Sequence, residues 1–553
     1  MVSSADDSLR RRLVGISDRV AAGRSFGLQV ALVVPLLVAL VYLVVLGFHV
    51  RDLLHAAYWN SDIAGPPFLA ELLQVQHTTA PLNGITEPGY LQIDLWTFWL
   101  PMHRLVWKWA FGPGFAVVAV VLAGWAVARL SNRWAGVLAA ALIGVAAPGV
   151  LFGYLSQTTH TSTWMGQCLL FAYAVFVLTR PPDRHPRLIV AFGIVTALVA
   201  GFWGASDPLL VLDGIVPAGI AMGVVVWAGG LRTYRRAITA LGSVVLGSLV
   251  VLALTQHLLF DAQSWTRDAY PEPLRFADGP EILKNLGLLL NGVLAVGNGE
   301  FLGAPLGMHG VLLFGAALVS FAALAIPWVL FRRHGVASQT TPDAGRLYAA
   351  TYWLAVEVVL VAAFLVSQVP VDLTSSRYLV PMLLAASCTV PIWAGTQVRA
   401  RLLIAGGSTV VLLSAVANLV QFASQFPASV RNGQLSTLSE FLQSHGLDRG
   451  YASYWDAYAV SWQTGGGLTV LPVMDVQCPN LAGIFCRMSH ATSSSFYAPV
   501  QGSTFYVYDP GAPAPVASPP DVSRHGPPIA EYALDGMTVY VYSYDIASKF
   551  TQP

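Results

Sequence analysis

Long apolar stretches alternate with arginine clusters along this chain, and that alternation leaves few folds open to it. The clusters are Arg10 to Arg24, Arg129 and Arg133, Arg180 to Arg187, Arg232 to Arg236, Arg332 to Arg346, and Arg399 and Arg401. Between successive clusters lie stretches long enough to cross a hydrocarbon core about 30 Å thick, which takes roughly 20 apolar residues of helix. Short cytoplasmic loops collect Lys and Arg, so the clusters are expected on the cytoplasmic side. With 55% hydrophobic and 11% charged residues, the chain falls outside the soluble globular class. A near-neutral net charge of +1 and the lack of a basic stripe argue against a nucleic-acid partner.

Spans are expected near 28–47, 115–130, 134–151, 166–178, 188–202, 209–228, 237–254, 308–330, 347–366, 378–393 and 402–421, about eleven in all. The apolar run after the amino-terminal arginines is too long for a signal peptide and reads as a retained first span. The predicted fold is a polytopic α-helical membrane protein. It has a cytoplasmic segment 1–27, a transmembrane domain 28–421 and an extracytoplasmic carboxyl-terminal α/β domain 422–553. An odd span count places that last domain outside a plasma membrane whose inner side holds the amino terminus. Two further outward regions are expected at 48–114 and 255–307. In the first, 63–77 reads as an amphipathic helix and 93–109 as a second, interrupted at Pro101; both are expected flat on the membrane interface. Its Trp and Tyr side chains fit interfacial anchors better than sugar-stacking platforms. In the last domain, 435–445 reads as helix, and 468–473, 504–508 and 537–542 as strands, with Pro510 to Pro520 a loop.

Cys168 and Cys388 fall inside spans and read as inert core residues. Cys478 and Cys486 are a disulfide candidate if their region is extracytoplasmic, because that compartment is oxidising. Asp213 and Glu357 lie within spans, where ionisable groups are costly and often functional.

Three short motifs carry a family resemblance. Tyr58-Trp59-Asn60-Ser61-Asp62-Ile63-Ala64-Gly65 puts an acid just beyond the first span, at the entry to an interfacial helix. Ser376-Arg377-Tyr378-Leu379-Val380-Pro381 opens a late span, and Gly450-Tyr451-Ala452-Ser453-Tyr454-Trp455-Asp456-Ala457-Tyr458 begins the soluble region. Together these resemble the GT-C superfamily of integral membrane glycosyltransferases, in particular its polyprenyl-phosphate-sugar-dependent branch of bacterial mannosyltransferase- or arabinosyltransferase-like enzymes. The resemblance implies transfer of a sugar from a polyprenyl-phosphate donor to an envelope glycan, lipid or protein, within cell-envelope and cell-wall biogenesis. It also implies that the carboxylate at Asp62 is catalytic.

The chemistry is consistent with those residues. An acceptor hydroxyl needs a base as its bond forms, and Asp62 is the candidate, although Asp before Ile63 is also a good helix N-cap. The leaving phosphate needs positive charge. Arg377 lies at an outward span end against the positive-inside bias, with Tyr378 beside it, so both are candidates for donor binding. Arg51, Arg104 and Lys108 share that placement but sit in no motif. His160, expected in an outward loop, could contact phosphate or sugar. Asp207, in an Asp-Pro turn, and Glu300, just before a span, are candidate acceptor-binding or secondary acidic residues. Metal dependence stays open: a divalent cation is compatible, yet outside the spans there is no His-x-x-His or Asp-x-Asp motif. Two other readings fit the same composition: a transporter or lipid flippase, and a non-catalytic envelope protein on the same fold. No inverted repeat supports the former, and only the surroundings of Asp62 would support the latter.

Overall fold

The computed structural model describes, with short gaps, residues 112–146, 158–179, 186–257, 276–336, 343–397, 430–474, 494–511 and 526–550, plus scattered positions elsewhere. Asp62 and Cys478 lie outside the described residues, as do the side chain of Cys486 and most of 48–111. The transmembrane part contains α1 (Gly112–Leu130), α2 (Arg133–Gly144), α3 (Thr158–Leu178), α4 (Pro186–Ser206), α5 (Val216–Gly229) and α6 (Leu231–Thr255). It continues with α7 (Gly279–Val296), α8 (Met308–Leu324), α9 (Ile326–Phe331), α10 (Ala344–Val366) and α11 (Val380–Gly395). Among the described residues, six helices are long and apolar enough to cross a membrane, and three shorter apolar ones accompany them.

Helix α3 is the axis of the bundle. It is buried on every side from Ser162 to Val177, as expected for a helix that is apolar all round and enclosed by others. Phe171 stacks on Tyr352 of α10 (5.9 Å) and meets Trp353 edge-on (5.3 Å), while the Tyr352 hydroxyl donates to the Gln167 carbonyl at 3.2 Å. Cys168 and Cys388 are fully buried free thiols within this packing. Helices α4 and α6 cross where Gly201 sits. A Cβ there would come within 2.5 Å of both the Ser248 carbonyl and the Val251 Cβ. Small residues let membrane helices approach this closely. Nearer its start α4 exposes Leu188, Val190, Ile194, Val195 and Leu198, apolar side chains that lipid covers in a bilayer. Gly201→Val forces the two helices apart, so the purified variant is expected to lose about 1–3 kcal/mol of stability. A lowered unfolding midpoint in detergent checks this, and a midpoint equal to wild type would refute the tight crossing.

At one end of the bundle, Asn132 caps α2 by accepting from the amides of Trp134 and Ala135, both at 3.1 Å. Asp343 caps α10, and Arg346 Nε donates to the Leu130 carbonyl at 2.9 Å, tying α10 to the end of α1. Arg129, Arg133 and Arg346 lie at this end, and the polar residues considered below sit at the opposite one.

The region 255–307, expected as a loop, contains α7. Its capping box pairs Asp278 with the Glu281 amide and Glu281 with the Asp278 amide. Asn285 reaches the carbonyls of Leu365 (3.2 Å) and Ser367 (2.8 Å), hanging the helix on the end of α10. Interspersed Asn, Gly and Lys hid its periodicity in the sequence.

The carboxyl-terminal domain is a six-stranded mixed sheet. Its elements are α12 (Val430–Ser444), β1 (Arg449–Ser453), α13 (Tyr454–Gln463), β2 (Thr469–Met474), β3 (Cys486–Arg487), β4 (Thr504–Tyr508), β5 (Ala530–Leu534) and β6 (Met537–Tyr542). The strand order is β3-β2-β1-β4-β6-β5, with β2, β1 and β4 parallel and the flanks antiparallel. The motif beginning at Gly450 turns out to be β1 running into α13. A side chain at Gly450 would overlap the Phe505 ring, Tyr451 donates to Asp545 Oδ1 at 2.6 Å, and Ser453 donates to the buried Asp456 at 2.8 Å. Burial, with the Asp545 carboxylate beside it, raises the pKa of the Tyr451 hydroxyl.

Ala64, Gly65 and Phe68 are helical, as the amphipathic pattern suggested. Ala64 and Phe68 are buried in the core of the carboxyl-terminal domain, with Phe68 against Tyr458 (ring centroids 5.5 Å). The Gly65 position faces the same ring, 3.0 Å from where its Cβ would be. At these positions the helix is covered by protein, a partner that the pattern alone does not name.

Candidate functional site

Three separate helix ends meet at the pole of the bundle opposite the arginine cluster. Helix α3 begins there and brings His160 in its first turn, so this residue is helical and not in a loop as expected. Helix α4 ends there with Asp207, and the 3-10 turn Leu373–Leu379 leading into α11 brings Arg377 and Tyr378.

Asp207 is the hub. Its Oδ2 accepts from Thr163 Oγ1 at 2.7 Å and lies 3.2 Å from His160 Nδ1, and its Oδ1 accepts from the Leu209 amide at 3.0 Å. The last bond is the Asp-Pro turn expected from the sequence. The His160 ring also meets Tyr378 edge-on, at 5.7 Å between centroids and 84° between planes. Tyr378 in turn holds Arg377: the guanidinium lies 5.0 Å above the tyrosine ring, and Nη2 donates to its hydroxyl at 3.1 Å. Four of the residues singled out in the sequence, His160, Asp207, Arg377 and Tyr378, thus form one connected cluster. Thr163 completes it and was missed. The available signal was a hydroxyl one helical turn after His160, on the same face of an otherwise apolar helix.

The cluster is graded in accessibility. The Asp207 side chain is 6% exposed and that of His160 18%, so any solute reaching this site meets the imidazole before the carboxylate. Helix α7 backs it, with Gly292 close against Ser376 and Leu379 on either side of the Arg377–Tyr378 pair.

Deeper in the membrane, Asp213 sits in a π-helical turn, Val211–Ile215, and Gln167 Nε2 donates to its backbone carbonyl at 3.0 Å. Asp213 Oδ1 and, on α10, Glu357 Oε1 are buried with no hydrogen-bond partner. Glu300 is exposed between α7 and α8 and is not among the residues that meet at the cluster. Among the described residues no three His, Cys, Asp or Glu side chains converge as a metal cage would require. The cluster offers one acid and one imidazole, and no step below is routed through a cation.

Asp62 itself lies outside the described residues, but the helical residues that follow it are fixed on the carboxyl-terminal domain. Phe115 and Phe202 pack against the core of that same domain, and Phe115 meets Trp203 edge-on at 5.2 Å. The segment after Asp62 and the end of α4 that carries Asp207 therefore share one buried surface.

Similar chains occur among solved structures. The oligosaccharyltransferase of Archaeoglobus fulgidus in its apo form is 12% identical with a TM-score of 0.45, matched over 82% of this chain and 65% of its own length. ArnT from Cupriavidus metallidurans in the apo state is 10% identical with a TM-score of 0.41, over 93% and 98% of the two chains. The same protein bound to undecaprenyl phosphate is 11% identical with a TM-score of 0.39, over 90% and 98%. No protein-family model matches the chain, and no curated protein matches it. This chain thus spans about two-thirds of the length of the oligosaccharyltransferase.

Proposed function

We propose that this protein is an integral membrane glycosyltransferase of GT-C type. It moves a sugar from a polyprenyl-phosphate donor to an envelope glycan, glycolipid or protein on the extracytoplasmic face of the plasma membrane. The observation that carries the reading is the meeting of His160, from the start of α3, with Tyr378 and Arg377, from the turn before α11, at one end of the bundle. An arginine far from the arginine-rich pole, braced by a tyrosine ring that also meets an imidazole, suits a phosphate that cannot leave the bilayer.

In this reading Asp62 withdraws the acceptor hydroxyl proton while that oxygen bonds to the anomeric carbon of the sugar. The bond from that carbon to the phosphate oxygen breaks, and its electron pair stays with the phosphate. Arg377 meets the charge that develops there as a preorganised donor. Asp207 is too enclosed to bind an acceptor sugar, and Glu300 keeps the acceptor-binding role. The Cys478–Cys486 disulfide belongs to the same proposal, as does the span order that puts residues 422–553 outside.

Deleting the gene tests the reading. The lipid-linked donor should accumulate while one envelope sugar is lost, and an unchanged envelope with an unchanged donor pool would overturn it. The orientation has its own test. A phosphatase fused after Pro553 is expected to be active, and a fluorescent protein requiring a reducing compartment to stay dark. The reverse pattern would place the mixed-sheet domain in the cytoplasm.

A further inference from the structure

A buried carboxylate that touches no substrate can still shape a site through the group it holds. Asp207 has three donors around it, and its side chain is all but closed to solvent. Where this carboxylate accepts from the imidazole, the proton between them sits on Nδ1. That leaves Nε2 on the far side of the imidazole. The other contact of the ring is Tyr378, whose hydroxyl accepts from Arg377.

We propose that Asp207 is a positioning residue: it fixes the His160 imidazole so that Nε2 faces the phosphate gripped by Arg377, and it does not touch substrate itself. The inference rests on the phosphate-donor reading above. In this arrangement His160 donates to Asp207 through Nδ1 and to a phosphate oxygen through Nε2. When the sugar–phosphate bond breaks, the electron pair left on the phosphate oxygen is met by Nε2–H as well as by Arg377, and the acceptor proton rests on Asp62. Thr163, one turn after His160, holds the same carboxylate oxygen, and the Leu209 amide holds the other.

The test uses the full-length protein in detergent, with undecaprenyl phosphate as probe and retention read by native mass spectrometry. Arg377→Ala and His160→Ala should each weaken retention about tenfold or more, the scale of a charge-assisted hydrogen bond. Asp207→Asn keeps the turn bond to Leu209 but offers an N–H to the imidazole, and should weaken retention about fivefold. The double variant should bind no worse than His160→Ala alone, because Asp207 acts only through that ring. Imidazole in the buffer should restore binding to His160→Gly but not to His160→Gly combined with Asp207→Asn. If Asp207→Asn does not fold, Thr163→Val replaces it. The expected loss is then about twofold, and it should again vanish in the His160→Ala background.

Additive losses in the double variant, or rescue by imidazole without Asp207, would overturn the positioning role. So would wild-type binding by Asp207→Asn; in all three cases Arg377-dependent binding would leave the donor reading standing. If the wild type does not retain the lipid, or Arg377→Ala retains it equally well, the donor reading falls and takes the role of Asp207 with it.

Discussion

Arg377→Ala lowers sugar transfer by about 10²–10³-fold, the loss that follows removal of one preorganised contact to developing charge. The loss in turnover exceeds the loss in donor binding, because the phosphate gains charge as the sugar leaves. Arg377→Lys restores only part of the activity, since an ammonium cannot reproduce a planar, two-pronged grip or the stacking on Tyr378. Both variants are expected to fold, as the guanidinium lies at a helix entry and not in the core of the bundle. The measurement is transfer from a labelled polyprenyl-phosphate sugar in isolated membranes. Full activity in the alanine variant would remove this arginine from the mechanism.

Asp62→Asn abolishes transfer, with a drop of about 10²–10⁴-fold, while expression and stability stay at wild-type levels. The choice of asparagine matters. Asp and Asn cap helices about equally well, so the exchange preserves any capping role and removes only the basic carboxylate. Asp62→Ala removes both and is expected to lose activity and some stability together. An asparagine variant with unimpaired transfer would show that the residue serves only to begin the helix entering the carboxyl-terminal domain.

The sequence exposed this architecture where one force dominates. Apolar length and arginine placement predicted α1, α4, α6 and α10 within a few residues, because a bilayer leaves little choice of secondary structure. Strands 504–508 and 537–542 were legible from alternating aromatic and β-branched residues, and both are found there. Mixed forces hid the rest. Helix α7 carries Glu281, Lys284, Asn285 and Asn291 among its leucines, which blurs its period. The first turn of α3 is all hydroxyls and histidine, so apolar length alone began that helix too late.

The site was legible as types of residue but not as an arrangement. His160, Asp207, Arg377 and Tyr378 each stood out locally, yet nothing in linear order links the start of α3 to the end of α4. Only the tertiary packing makes Asp207 the partner of His160, and that packing changes the expected role of the acid.

The burial of Ala64 and Phe68 against Tyr458 also bears on biogenesis. The ribosome makes the early segment long before its packing partner at the other end of the chain exists. Until the last sheet has closed, that apolar surface must wait uncovered or be shielded by a helper. Docking of Ala64 and Phe68 is therefore one of the final events in maturation, and activity should emerge only once translation of the whole polypeptide has finished.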